Sequence, residues 1–470
     1  MNNPGTSLRR FLPLCLLVFA PPAPAAGTPR DLWDAWDGIR VFREDPYALR
    51  HAELLRRLTG LAERFPGLLT TLEEGVSSEE RRIPLLSAGR GKTKVLLWSQ
   101  MHGDEPTATS ALLDVLAFLG TNRDAPQTKL LLDRLTLLVI PMLNPDGAER
   151  TRRVNAQGID INRDALRLST PEGRFLKSVR DRYQPAAGYN LHNHAALTTA
   201  GPGGDQVAIS LLSVPFDEAF TENEGRKLTK RLAVKVRLAL EPFAKGKIAR
   251  YDTDYTARAF GDSMTRWGTP TLLIESGGWN GPDEPGTLVR LNFVALVSTL
   301  QALADGSLAS IDAAAYETIP LLKRDSLFDV VVRNAMVLNG NGLPPYLADV
   351  GLVKPSRFGG MSGRTRAGVV EVGDLTEFRG KTEIDATGLV LAPAPPGGPD
   401  AWSNALEALK TRGLADKDGR LLLSPEALSL RVRKWTPEGA FLAPGFSGDL
   451  LLFRREGETT LVYERRIATN

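Results

Sequence analysis

The chain has 470 residues, long enough for two or three domains with sizeable cores. Its 42% apolar and 24% charged content is that of a globular protein. A formal net charge of only +3 leaves no electrostatic footprint for nucleic acid, which is set aside as a partner.

The first residues, 1–25, read as an export signal. Arg9-Arg10 form a positive n-region, Phe11 to Ala20 an apolar core, and Ala23-Pro24-Ala25 an A-x-A cleavage site. The apolar core is too short to span a bilayer comfortably, so a periplasmic or secreted location is expected. The paired arginines match a twin-arginine signal only loosely, because Phe11 follows them directly. Cys15 is the only cysteine. Leu14 before it is too large for the usual lipidation box, and the processed chain is expected to hold no disulfide. No other stretch reads as long and apolar enough to cross a membrane.

Asp31 to Arg50, rich in Trp and charge, looks like a lead-in segment. His51 to Phe65 has helical spacing, with Leu54, Leu55, Leu58, Leu61 and Ala62 on one side; His51 at its start suits a surface or capping role. Arg82 to Leu86 and Lys94 to Gln100 read as strands around the turn Gly89 to Lys92. Met101-His102-Gly-Asp-Glu105-Pro106 leaves the second strand and precedes a helix over 107–120. Leu135 to Leu143 reads as a buried strand ending in the turn Asn144-Pro-Asp-Gly147. Pro171 to Tyr183 is a predicted helix with proline in its first turn, and Tyr189 to His192 a strand. Gly225 to Phe243 is amphipathic; a solvated basic face over a core stripe explains it better than a membrane-surface role. Thr271 to Glu275 is a strand that ends in a carboxylate.

Strands alternating with helices predict an α/β domain with a mixed, largely parallel sheet flanked by helices. His102, His192 and Glu275 each fall at or just past the C-terminal end of a predicted strand, the edge at which open α/β sheets assemble sites. The chain has four histidines, and three of them lie in these strand-end motifs. A catalytic zinc takes three protein ligands and keeps one position open. His102, Glu105 and His192 would supply such a set for one Zn2+ per chain, and Glu275 a separate carboxylate to move protons. Asn162-Arg163 and the run Arg150, Arg152, Arg153 suit a clamp for a substrate carboxylate, because guanidinium groups bind carboxylates bidentately.

His102-Gly-Asp-Glu105, Asn144-Pro-Asp-Gly147, Gly158-Ile-Asp-Ile-Asn162-Arg163, Leu191-His192 and Ile274-Glu275 occur in the order found in zinc metallocarboxypeptidases, and residues 50–300 resemble that family (carboxypeptidase A-like). The resemblance implies zinc ligands His102, Glu105 and His192, and Glu275 as general base and then general acid. It implies Asn162 and Arg163 as holders of the substrate's terminal carboxylate, and Arg153 as the group that polarises the scissile carbonyl, with Arg152 its alternative. Tyr255 is the expected substrate-capping tyrosine, with Tyr251 as rival. The family often carries Asp two residues before its third ligand; Asn190 stands there. His194 reads as a group at the rim of the site, and Asp104, Asp146, Asp160 and Asp164 as turn residues or supports of the ligands. The implied function is an exported carboxypeptidase acting on peptides with a free C-terminal carboxylate. An amidase for N-acyl amino acids or murein-type γ-glutamyl peptides is the alternative, and a non-catalytic binding relative the third.

Beyond residue 325 the chain turns strand-rich, with segments at Phe328 to Leu338, Asp349 to Val353, Gly368 to Val372 and Thr382 to Ala386, a turn at Gly340-Asn-Gly342 and a joint at 394–399. This part resembles the small β-sandwich that flanks the barrel of metal-dependent amidohydrolases. Only about fifty residues separate its two halves, against the roughly 200 or more that a barrel needs. It contains no histidine. A sandwich without its barrel, structural or for docking, is expected over 325–470, after a catalytic domain over 30–320.

Overall fold

The structure is a computed structural model; it describes residues 27–252, 254–324, 326–338, 344–354, 368–395, 400–425, 427, 428, 442 and 446–468. The expected export signal with Cys15 and the expected Gly340-Asn-Gly342 turn lie outside the described residues, as does most of the 394–399 joint.

In chain order the first part comprises α1 (Pro29–Ile39), α2 (His51–Arg64), β1 (Leu69–Val76), β2 (Arg82–Ala88), β3 (Thr93–Ser99), α3 (Thr107–Thr121), α4 (Pro126–Arg134), β4 (Leu135–Ile140), α5 (Pro145–Arg150), α6 (Pro171–Tyr183) and β5 (Ala187–Asn193). Then come β6 (Thr198–Ala200), β7 (Ile209–Ser213), α7 (Glu224–Ala244), β8 (Ile248–Arg250), α8 (Phe260–Arg266), β9 (Thr271–Ser276) and α9 (Glu284–Asp305). An eight-stranded sheet runs β1-β2-β4-β3-β5-β9-β7-β8. Its centre, β4-β3-β5-β9, is parallel throughout. Antiparallel strands flank it through β2 and β7, which gives the expected mixed sheet with helices.

Local chemistry explains the ends of these elements. Thr170 caps α6 by accepting from Gly173 N–H, and Pro171 begins it where no N–H is needed. Asn144-Pro-Asp-Gly is not a free turn: Asn144 accepts from Gly147 N–H at 2.9 Å and caps the short helix α5. The lead-in segment is helical and pinned to α3, since Asp114 accepts from Trp36 Nε1 and Val41 N–H, both at 2.8 Å.

Helix α9 corrects the expectation that no further stretch is long and apolar enough to cross a membrane. Its 22 residues meet that test, and 72% of its apolar window is buried inside the protein. It packs against α1, α3, α4 and α7. A helix covered on several sides is apolar on several sides, so it shows no single hydrophobic stripe.

The later part holds β10 (Leu322–Arg324), β11 (Leu327–Val337), β12 (Tyr346–Val353), β13 (Gly368–Gly373), β14 (Arg379–Asp385), β15 (Leu389–Pro393), α10 (Ala401–Thr411), β16 (Leu450–Glu456) and β17 (Thr460–Ile467). It is mainly β, as expected. β11 to β17 form one sheet in the order β13-β12-β11-β15-β16-β17, with β14 beside β11. β10 instead pairs antiparallel with β6. Leu197 packs into the cluster of Leu327, Phe328 and Val331, so the two parts share apolar contacts.

Candidate metal centre

Three parallel strands deliver the site. β3 ends at Ser99, and the loop after it carries His102 and Glu105. His192 lies in β5, and its register partner in β9 is Glu275. Neighbouring parallel strands thus place a candidate ligand and a candidate base side by side.

The loop from β3 is tightly held. Gln100 adopts a left-handed φ of 50°, a conformation uncommon outside glycine, and its side chain donates to Gly103 O at 2.9 Å. Asn144 Nδ2 reaches Met101 O and Arg153 O, both at 3.3 Å. One capping residue thereby ties the ligand loop to the arginine segment. Gly103 leaves no room for a side chain, because a Cβ there would lie 2.0 Å from the backbone carbon of Gly147.

His102, Glu105 and His192 are at most 2% exposed. Glu105 Oε1 lies 2.7 Å from His102 Nδ1, and Oε2 lies 2.6 Å from His192 Nδ1. The two Nδ1 atoms are 3.1 Å apart, and the donor atoms all fall within 4.8 Å of one another. Two facing imidazole lone pairs beside a buried carboxylate make a set that a single cation satisfies, and the His-Glu-His donors suit zinc. His102 Nε2 lies 3.1 Å from Asp160 Oδ1. That contact holds the proton on Nε2 and turns the Nδ1 lone pair toward Glu105, His192 and Arg153, a support typical of metal-bound histidine. Glu105 is further fixed by Asn193 N–H at 3.1 Å. Burial alone would raise the Glu105 carboxyl, but the facing histidines hold it well below the usual carboxylate range. Burial drives His192 toward its neutral, ligating form.

A cavity of about 500 Å³ opens beside the triad. Arg153, Asn162, Arg163, His194, Tyr251 and Glu275 are among its lining residues. Burial, then the Glu105 charge, pushes Glu275 up to about 8; a cation on the triad would draw it back down. Arg153 Nε donates to Asp160 Oδ2 at 3.0 Å, and its Nη1 lies 3.4 Å from Glu105 Oε1. Asn162 and Arg163 sit on a single 3-10 turn capped by Asp160. Asn162 Oδ1 accepts from Phe260 N–H at 2.9 Å, which seats this turn on the start of α8.

Other expected residues fall elsewhere. Arg150 is paired with Glu79 at 2.6 Å and Arg152 is exposed, so of that run only Arg153 reaches the cavity. Tyr255 is not among the lining residues; Tyr251, the rival, is, because β8 ends at Arg250 and delivers the next side chain to the wall. His51 lies outside the cavity, with Nε2 2.8 Å from Arg82 O. Several lining groups had no motif to announce them. Asp262 is pushed up to about 6 by burial. Leu322, Arg324 and Leu327 come from β10 and β11, brought in by the pairing of β10 with β6 and by a bridge from Leu321 to Arg250.

Among the described residues, the fold and the site define an α/β protein with a buried His-Glu-His set able to hold a metal ion at the C-terminal edge of its sheet. Residues 54–202 match the family model described as zinc carboxypeptidase. The chain is 29% identical over 212 residues to a probable carboxypeptidase 2 of Arthroderma benhamiae, across 43% of this chain and 38% of the relative. It is 26% identical over 201 residues to human (Homo sapiens) carboxypeptidase D, across 39% of this chain and 14% of the relative. The chain thus spans well under half the length of these curated relatives. A metallo-carboxypeptidase from Burkholderia cenocepacia superposes with a TM-score of 0.45 at 19% identity, over 55% of this chain and 69% of that one.

Proposed function

We propose that the protein is an exported zinc metallocarboxypeptidase that hydrolyses C-terminal peptide bonds. The observation that carries this is the juxtaposition of the His102-Glu105-His192 set with Glu275, its neighbour across β5 and β9, in a cavity that also holds Arg163. The match of residues 54–202 to the zinc carboxypeptidase family supports it. Export rests on the signal-like first residues.

In this reading Asn162 and Arg163 bind the terminal carboxylate and orient the scissile bond. Arg153, braced by Asp160, offers N–H groups to the oxygen that gains charge during attack. Glu275 takes a proton from the attacking water and passes it to the leaving amine nitrogen. Its depleted hydration favours the protonated carboxyl between these steps. Zinc, when bound, supplies Lewis-acid polarisation and a lowered pKa for water. Tyr251, which lines the cavity where Tyr255 does not, closes over substrate in this reading. We assign residues 30–320 to catalysis and 325–470 to an accessory β domain.

The test uses zinc-loaded protein on blocked dipeptides, their C-terminal amides, N-acyl amino acids and γ-glutamyl peptides. Free-carboxylate dipeptides are expected to be the best substrates, and Glu275→Gln to lose about 10²–10⁴-fold in kcat with its zinc retained. Near wild-type turnover in that variant would sink the mechanism. Equal cleavage of amides would sink the carboxylate clamp, and preferential cleavage of γ-glutamyl peptides would favour the amidase reading.

A further inference from the structure

The zinc carboxypeptidase match ends at residue 202, yet part of the cavity wall comes from far beyond it. β10 pairs antiparallel with β6, register Arg324↔Thr198, just after the third candidate ligand. This pairing sets Leu322 and Arg324 on the wall that also holds His194, Thr198 and Tyr251.

Arg324 differs from Arg150 and Arg153. Arg150 is neutralised by Glu79, and Arg153 by Asp160. Arg324 Nη2 instead donates to the phenol Tyr251 Oη at 2.5 Å, and its guanidinium carbon lies 5.0 Å from that ring's centroid. Asp254 also lines the cavity, but the hydrogen bond goes to the neutral phenol. Among the described residues Arg324 makes no ion pair. A guanidinium carries five N–H donors, so most of them remain available. Buried polar atoms of several lining residues also have no hydrogen-bond partner, among them Thr198 Oγ1, 2% exposed as a residue, and His194 Nε2, 4% exposed. His194 Nδ1 lies 2.8 Å from Ala195 O and carries its proton there, which leaves Nε2 as an acceptor.

We propose that Arg324 is a specificity-determining residue of this site: with Thr198 as a second donor and His194 as an acceptor for a neighbouring amide N–H, it binds a second anionic group of the substrate. The favoured substrates are peptides with Glu or Asp at or next to the scissile bond. Arg163 takes the terminal carboxylate and Arg324 the additional one. This deepens the carboxypeptidase reading and rests on it.

The experiment compares N-acyl dipeptides ending in Ala-Glu and Ala-Gln, and in Glu-Ala and Gln-Ala, on the zinc-loaded full chain. In one of the two pairs the acid is expected to exceed its amide about tenfold or more in kcat/KM, the scale of a charge-assisted hydrogen bond. In Arg324→Gln that ratio should fall to about one. An unchanged ratio overturns the proposal, as does absence of acid preference in the wild type. Should the Gln variant fail to fold, Arg324→Met, which keeps the apolar stem, gives the same reading. Calorimetric binding of N-acetylglutamate and N-acetylglutamine provides a readout free of turnover. Selective binding of the acid that is lost in the variant, with no peptide cleaved, upholds the subsite and defeats the hydrolase reading. Cleavage with a ratio indifferent to Arg324 defeats the subsite alone.

Discussion

Asp160 is the residue on which the site's order most depends, and replacing it with Asn is the most informative perturbation. One carboxylate oxygen faces His102 Nε2 at 3.1 Å and also accepts from Asn162 N–H at 2.9 Å; the other accepts from Arg153 Nε at 3.0 Å. Its side chain is 21% exposed, so both contacts are largely shielded from water. Burial pulls its carboxyl up, but the hydrogen bond from His102 and the charge of Arg153 hold it below the usual range. Asn is nearly isosteric, but its amide nitrogen is a donor and must face either the imidazole N–H or the guanidinium. One charge-assisted contact becomes donor against donor, a loss of about 1.5–3 kcal/mol. Removing such a support of a ligating histidine typically lowers metal affinity about 10–100-fold, and the two scales agree. Competitive zinc titration against a chromophoric chelator measures it directly, with thermal unfolding of the metal-free proteins as the folding control. Affinity within about twofold of wild type, in a variant that folds normally, would refute the claim that Asp160 sets the tautomer of His102.

Two further outcomes follow from the geometry. Gly103→Ala drives a Cβ into the Gly147 backbone; about 1–3 kcal/mol of stability should be lost, with zinc content reduced in the folded fraction by metal analysis. Asp114 is pushed up to about 6 by burial, against 3.8 in the unfolded chain, so the folded state binds more protons between those values. Its contribution favours the fold below about pH 4 and is lost as pH rises through 6, on the order of 3 kcal/mol. Urea unfolding between pH 4.5 and 7.5 should show stability falling more steeply with pH in the wild type than in Asp114→Asn, and parallel curves would contradict it.

The centre of the fold was legible because β3, β5 and β9 are short apolar runs that each carry an ionisable residue near or just past their C-terminal end, a pattern that requires no long-range information. Helix α6 was legible from Pro171 in its first turn. Helix α9 was not, since burial on several sides erases the periodicity that marks a surface helix. The choice between Tyr251 and Tyr255 turns on where β8 stops, which residue types alone do not encode. Asp160 could be read as a cap or as a support, and its partner His102 lies 58 residues away. Arg324 had no local signal at all, because its place depends on pairing with a strand more than a hundred residues earlier.

That pairing also bears on how the chain can be divided. β6 is three residues long and has β10 as its partner. A chain cut at the apparent end of the catalytic part, near residue 320, would lose Leu322, Arg324 and Leu327 and uncover the β6 edge. Bare strand edges recruit other chains, and this one lies only four residues beyond His194. The two parts are therefore better treated as one unit of solubility, even though their sheets are separate.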